Sequence, residues 1–326
     1  MPQPLRRSLL LAACAGALMP GLPAAQSAYP SRPVRLVVPF PAGGATDVLA
    51  RAITLQAANR LGQAIVIDNK PGAGGTIGSD LVAKADPDGY TLLIATGSTH
   101  SVAVVTNPRL PYKVEQDFVP VVDVARTSAV MVVPTSLPAA NLREFIALAK
   151  ARPGRLNFGS SGNGTNSHLA GELFKAQAGV FMTHISYRGT GLVFNDMVSG
   201  QVHMLMDNYV TSQGHIRDGK LRAIGVTSLQ RLPFAPDIPT LHEQGLANFD
   251  VSNWFGIYAP RGTPGDVVAR VNTAFNEALR DPELQKRLGL LGATATGGTP
   301  QQMAAMVAAD TARWRRLITE RKLVVD

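Results

Sequence analysis

Cysteine is almost missing from this chain: the single thiol, Cys14, sits near the start of the 326 residues. One thiol closes no disulfide within the chain, so burial alone must hold the fold together. Aromatic residues reach only 6%, and Lys and Arg are scattered without a run of five, although the net charge is +8. Nucleic-acid binders gather their basic residues on a stripe or patch, so that class is excluded and the charge reads as a solvated surface. No apolar run approaches the roughly 20 residues that span a bilayer. The six histidines (His100, His168, His184, His203, His215, His242) include no pair at i, i+4 spacing. With no cysteine beyond Cys14, no zinc site and no cofactor are expected.

What is present begins with an export address. Arg6 and Arg7 precede an apolar stretch from Leu9 to Met19, and small residues run through Ala24, Ala25, Ser27 and Ala28. That layout predicts a secretory signal over residues 1–28 and a periplasmic mature chain. The arginine pair also fits a twin-arginine route, and Leu11-Ala12-Ala13-Cys14 resembles a lipobox. Few apolar residues stand ahead of Cys14, so cleavage near Ala28 is the reading taken. Roughly 300 residues would remain, a length that suggests about two domains. A hydrophobic content of 45% supplies two cores.

The pattern that follows alternates strand and helix. Val34 to Pro39 is a short β-branched run of the kind parallel strands bury on both faces. A helix is predicted from about Thr46 to a stop at Gly62, a strand over Ala64–Asp68, a glycine turn over Gly72–Gly78, and a strand over Thr91–Thr96. A second α/β set is predicted beyond Ala129. It has a capped helix from Asn141, a strand over Leu156–Gly159, a helix over Asn166–Ala178, a strand over Met182–Tyr187, a helix over Leu192–Ser199 and a strand over His203–Asp207. Beyond the strand Ser252–Pro260 the chain reads as three helices, each opened by a proline: Pro264, Pro282 and Pro300. Helices without a sheet of their own must pack on an earlier one. The expectation is therefore an α/β fold of two lobes, each a mixed sheet flanked by helices, joined by a two-strand hinge. Lobe one would comprise 29–126 plus 256–326, and lobe two 127–255.

Two loops carry the chemistry. Residues 39–47 and 159–166 each lead from a strand's carboxyl end to a helix start and are rich in Gly, Ser and Thr. A helix start presents unpaired N–H groups and about half a positive charge, so it holds an anion without a cationic side chain. Ligands of open α/β sheets sit outside the carboxyl ends of the strands. One such loop on each lobe makes a two-sided anion clamp, with Thr96, Ser98 and Thr99 adding hydroxyls. An aspartate at Gly164 would then place a like charge in the clamp. Asp47 is either a ligand contact or a brace for its loop, and Asp207 either receives a ligand ammonium or hydroxyl or caps the next helix. His168 either lines the cleft or braces the loop, and Arg188 faces cleft or solvent.

Enzyme motifs miss by single residues. Gly159-Ser160-Ser161-Gly162-Asn163 has Asn163 where a nucleophile elbow needs glycine. Gly72 to Ile77 has Ile77 where the dinucleotide fingerprint needs glycine, and Gly214 to Lys220 is followed by Leu221 instead of a Mg²⁺-binding hydroxyl. The rival to binding is a secreted hydrolase using Ser161 and His168, which lacks an orienting acid in any recognisable motif.

The segments Tyr29-Pro30-Ser31-Arg32-Pro33-Val34, Pro39-Phe40-Pro41-Ala42-Gly43-Gly44-Ala45-Thr46-Asp47 and Asn69-Lys70-Pro71-Gly72-Ala73-Gly74-Gly75 resemble Bug-type receptors. These are the substrate-binding components of tripartite tricarboxylate transporters. The resemblance runs on through Asp86–Leu92, Ser160–Thr165 with His168–Glu172, Tyr187-Arg188-Gly189, Trp254–Gly256 and Ala259–Pro264. It implies a type II periplasmic-binding fold that closes like a flytrap on one carboxylate ligand without catalysis. It also implies transfer of that ligand to membrane permease subunits or a sensor. The candidate contacts it leaves are Phe40, Gly43, Gly44, Ala45, Thr46, Asp47, Thr96, Ser98, Thr99, Ser160, Ser161, Gly164, Thr165, His168, Tyr187 and Asp207. A monomer is expected. Arg188 stands where such receptors usually carry Lys, and Tyr209 after Asn208 is a second departure.

Overall fold

The computed structural model describes residues 29–323, so the signal segment and Cys14 lie outside the described residues. In the first half the elements are β1 (Val34–Val38), α1 (Ala45–Leu61), β2 (Ile65–Asn69), α2 (Thr76–Ala83), β3 (Thr91–Thr96), α3 (Ala103–Thr106), α4 (Val114–Asp117) and β4 (Phe118–Pro134). Then come α5 (Leu142–Ala151), β5 (Asn157–Ser160), α6 (Asn166–Ala178), β6 (Thr183–Ser186), α7 (Thr190–Val198), β7 (Met204–Asn208), α8 (Tyr209–Arg217) and β8 (Leu221–Val226). The chain ends with β9 (Ser252–Pro260), α9 (Gly265–Leu279), α10 (Pro282–Leu290), β10 (Ala293–Ala295) and α11 (Pro300–Arg321).

Local chemistry explains the boundaries. β1 buries all but Arg35, as a strand covered on both faces must. Gly62 takes left-handed backbone at φ 85° and closes α1. At α5 the Asn141 side chain accepts from the Glu144 N–H at 3.0 Å while Glu144 accepts from the Ala140 N–H. Thr299 and Gln302 form a reciprocal capping box at α11, with Pro300 in its first turn.

The strands form one path in the order β2-β1-β3-β9-β4-β7-β5-β6. β1 runs parallel to β2 and β3, and β9 lies antiparallel between β3 and β4. The 17-residue β4 is the shared member. Phe118–Ser128 pair with β9, while Ala129–Val132 pair with β7 and Val130–Pro134 with β8. β5 is parallel to both β6 and β7. Two sheets thus meet on one strand, and the chain returns from Val251, whose N–H reaches Thr227, directly into β9. This is the two-lobed α/β architecture with a two-strand connection.

Each sheet is covered on both faces. One face of the β1–β3 sheet packs α1, α9 and α10 through Leu49, Ile53, Phe275 and Leu288. The other face takes Met303 and Val307 of α11. Around the β5–β7 sheet, α5 and α6 contribute Phe145, Leu169 and Phe174, and α7 contributes Val193 and Met197 on the opposite side. The sequence places the C-terminal helices on the first sheet, and α9, α10 and the start of α11 do pack there. The second half of α11 continues onto the other core, where fully buried Trp314 joins Phe145, Phe158 and Phe174, with Leu317 and Ile318 beside it. No described helix is long and apolar enough to cross a membrane.

Candidate functional site

A cavity of about 410 Å³ opens at the carboxyl ends of β1, β3, β5 and β7, where the two sheets face each other. Its walls include Gly43 to Thr46 at the start of α1, Asn166 and Ser167 at the start of α6, and Thr190 to Leu192 at the start of α7. The first-turn N–H groups of a helix have no carbonyl behind them, so three sets of amide dipoles surround one space. Among the described residues, Asp207 is the only acidic one in the lining and Arg188 the only basic one.

The β1–α1 loop is held open from below. Asp47 accepts the Gly43 N–H at 2.9 Å, the Arg51 guanidinium at 3.0 Å and the Asn69 amide at 3.0 Å, and Asn69 also donates to the Phe40 carbonyl. Burial alone would raise the Asp47 pKa, but the Arg51, Gly43 and Asn69 hydrogen bonds outweigh it and hold the carboxyl below its ordinary value. Asp47 is a brace and does not line the cavity. Thr99 is likewise internal: its hydroxyl accepts from the Thr96 N–H and donates to the Thr96 carbonyl, closing the turn after β3. That turn leaves the buried Thr96 hydroxyl without a partner among the described residues, in the wall of the cavity.

The 160–168 loop is braced by its own hydroxyls. Ser160 meets His184 Nε2 at 2.7 Å, Thr165 donates to the Gly162 carbonyl, and Ser167 accepts from the Ser161 N–H. The Gly164 N–H donates to His168 Nδ1 at 3.1 Å, and the His168 ring stacks on His184 with centroids 3.8 Å apart. Burial, with Lys175 nearby, pushes the His168 pKa down to about 4, so its ring is neutral at physiological pH. Ser161 bonds Thr165 and Ser167, not His168. The hydrolase reading is therefore corrected: the proposed base is occupied and sealed away from the proposed nucleophile. The Ser160–His184 pair offers no substitute, because Ser160 is fully buried.

Of the sequence-derived contacts, Phe40, Gly43, Gly44, Ala45, Thr46, Thr96, Ser98, Ser161 and Asp207 converge on the cavity. Asp47, Thr99, Ser160, Thr165 and His168 stand behind it as bracing. Gly164 and Tyr187 line a second, outer hollow instead, and the Tyr187 hydroxyl is spent on Asp196. An added charge in the clamp therefore belongs at Gly44 and not at Gly164. Tyr209 packs on Phe234 and away from the cavity, whereas Arg188 reaches it.

Sequence reasoning placed neither the first turn of α7 nor Asn253 in the site, although it marks a helix from Leu192 and names the loop that holds Asn166. Ser98 accepts the Asn166 N–H at 3.0 Å. Asn253 at the head of β9 accepts from the Gly97 N–H and from the Asn166 side chain, and Asn208 accepts from Thr127 at 2.6 Å. These bonds cross between the sheets. The glycines flanking Thr190 in Gly189-Thr190-Gly191 were a usable signal for the first turn of α7; an isolated asparagine in a strand carries none.

Asp207 is almost wholly buried at the end of β7, with the Thr211 hydroxyl donating to it. Burial raises its pKa above the ordinary carboxylate value. The native state then holds its proton to higher pH than the unfolded chain, so this group's contribution to stability falls as pH rises from the unfolded value toward the folded one. Asp207→Asn is therefore expected to gain thermal stability relative to the parent as pH is raised from about 4 to about 7. A difference in melting temperature that does not change with pH contradicts this account.

Comparison with known proteins agrees with the geometry. Residues 49–323 match the model of the tripartite tricarboxylate transporter family receptor. Protein BugT of Bordetella pertussis is 38% identical over 299 residues, covering 91% of this chain and 92% of BugT. A solved R. palustris protein described with adipate is 36% identical, with a TM-score of 0.88 over 91% of this chain and 99% of that one. MatC from Rhodopseudomonas palustris with bound malate is also 36% identical, with a TM-score of 0.85 over 89% and 100% of the two chains.

Proposed function

The chain belongs to the tripartite tricarboxylate transporter receptor family, and from that premise we propose that it captures a small carboxylate-bearing solute in the inner cavity. The observation carrying this reading is the unpartnered, buried Thr96 hydroxyl set among the first turns of α1, α6 and α7. Those groups donate to an anion and demand no cation. A micromolar complex needs about 8 kcal/mol, and each hydrogen bond to a charged group contributes on the order of 1.5–3 kcal/mol. Four such bonds near the middle of that range supply about 9 kcal/mol, which meets the requirement. Adipate and malate, found with two relatives, set the size class.

The contacts proposed are the nine converging residues named above together with Asn166, Ser167, Thr190 and Asn253. The lobes proposed are 29–126 with 256–326, and 127–255. The receptor is periplasmic, and we place its export signal in 1–28. It acts as a monomer and delivers its ligand to membrane permease subunits or a sensor. Calorimetry of the mature chain against mono- and dicarboxylates of two to ten carbons tests the reading. Micromolar or tighter binding of at least one acid is expected, and silence toward the whole panel contradicts it.

Closure of the clamp makes a separate prediction. A Cβ on Gly74 would lie 3.1 Å from the Asn163 carbonyl across the cleft, while one on Gly219 would meet nothing; both have left-handed backbone, at φ 64° and 68°. Gly74→Asn and Gly219→Asn therefore share the backbone strain, and only the first wedges the lips apart. Gly74→Asn is expected to weaken ligand binding about tenfold, or 1.4 kcal/mol, with Gly219→Asn unchanged. Equal affinities for the two variants contradict the closed contact.

A further inference from the structure

Behind the turn that walls the inner cavity lies a separate hollow of about 980 Å³, bounded by the α3–α4 connection, β4, β9 and α11. Its floor is aromatic. Tyr112, Phe118 and Tyr258 surround the His100 ring, whose centroid lies 4.8 Å from that of Phe118 and 4.5 Å from that of Tyr258. The wall opposite is a face of small side chains on α11, Ala304, Ala305, Ala308 and Ala312, which leaves the space unfilled. Charged residues of both signs, Lys113, Glu115, Arg261 and Arg315, stand in exposed positions around it.

His100 lies in Ser98–Val102, a π-helical turn, an insertion found frequently at functional sites. That turn presents Ser98 to the inner cavity and His100 to the rear hollow. His100 is fully buried, and its Nε2 has no hydrogen-bond partner among the described residues. The other ring nitrogen fixes the tautomer. The Thr99 hydroxyl spends its proton on the Thr96 carbonyl, so the 3.1 Å contact between Thr99 Oγ1 and His100 Nδ1 puts the imidazole proton on Nδ1. Burial pushes the His100 pKa down to about 3, so the ring is neutral at physiological pH. Nε2 is then a bare lone pair. With Nδ1 turned to Thr99, it faces the aromatic side chains that line the hollow. A buried acceptor left unmet is costly, and an apolar pocket with very few placed polar groups is the usual form of a small-molecule site.

We propose that this rear hollow is a second binding site, separate from the clamp, for an uncharged aromatic molecule bearing a hydroxyl, which donates to His100 Nε2 while its ring packs on Phe118 and Tyr258. A carboxylate has only acceptors to offer to a lone pair, so the acids assigned to the clamp are rejected here. The two sites, back to back across one turn, select opposite chemistry.

The test is a nuclear magnetic resonance titration of the mature chain with 2-naphthol and with 2-methoxynaphthalene, which has the same rings and no donor. The naphthol is expected to bind about tenfold more tightly than its ether, as when a buried acceptor goes unmet, and to shift the His100 ring-nitrogen signal. His100→Phe keeps a ring and removes the acceptor, and should bring the ratio of affinities to near one. Ala308→Trp fills the hollow from an exposed helix position. It should lose both compounds while the spectrum away from the hollow is unchanged. Failure of both compounds to bind the parent overturns the proposal. So does equal affinity for naphthol and ether in the parent, or naphthol binding that Ala308→Trp leaves intact, since the compound would then sit elsewhere.

Discussion

Gly44→Asp is expected to abolish carboxylate binding while leaving the fold at least as stable as the parent. Gly44 is the residue that caps α1, with extended backbone at φ −73° that an L-residue adopts freely. Aspartate is among the preferred residues at that position, and it stabilises a helix start by accepting the first-turn N–H groups. Those N–H groups are the ones assigned to the ligand, so the new carboxylate occupies the site and repels the guest. Its Cβ would sit 3.2 Å from the Pro41 carbonyl, which asks for a shift of a few tenths of an ångström. A loss of at least 100-fold in affinity, about 2.7 kcal/mol, is expected, with the urea midpoint unchanged or higher. Gly44→Ser caps without charge and should lose far less. If the aspartate variant binds normally, the start of α1 is not part of the clamp.

Trp314→Ala is expected to cost about 3–5 kcal/mol of stability, the range for removing a large aromatic side chain from a core. That is a large share of the 5–15 kcal/mol typical of a folded domain. Trp314 is fully buried in the core of the β5–β7 sheet, yet it sits on a helix whose first half packs on the other sheet through Met303 and Val307. Neighbouring bonds pin the crossing: Trp254 Nε1 donates to Asp310 at 2.9 Å, and the Arg313 guanidinium donates to the Asp250 carbonyl. Trp314 lines neither cavity, so affinity below the melting temperature should be nearly unchanged. A loss under about 1 kcal/mol in urea denaturation would mean that the helix end is dispensable.

The features legible in the sequence were those written in local chemistry. The strand–glycine–helix step at 34–46, the capped helix at Asn141 and the stop at Gly179 depend on neighbours a few residues apart, and the structure has each at or within a residue or two of its expected place. The same holds for the positions of the starts of α1 and α6, at which the proposed clamp is built. What escaped depends on distance in the chain. The apolar run at Ala129–Val133 is the part of β4 the sequence marks; the earlier part, with Pro120 and the consecutive polar residues Arg126, Thr127 and Ser128, is a strand only once β9 lies beside it. The end of α11 crosses to the second core because Trp314 fits there, and a helical pattern does not state its partner. Asn253 bonds groups 87 and 156 positions away. His168 and Ser161 look like a catalytic pair in one dimension, but the fold turns each toward a different partner.

The most direct test is a crystal structure of the mature chain with the tightest-binding acid of the panel. The account predicts one carboxylate in the inner cavity, with its oxygens about 2.7–3.2 Å from the N–H groups opening α1 and from the Thr96 hydroxyl, and with the starts of α6 and α7 closed over it. An acid bound elsewhere, or one whose carboxylate faces solvent while these amides stay unoccupied, would contradict it.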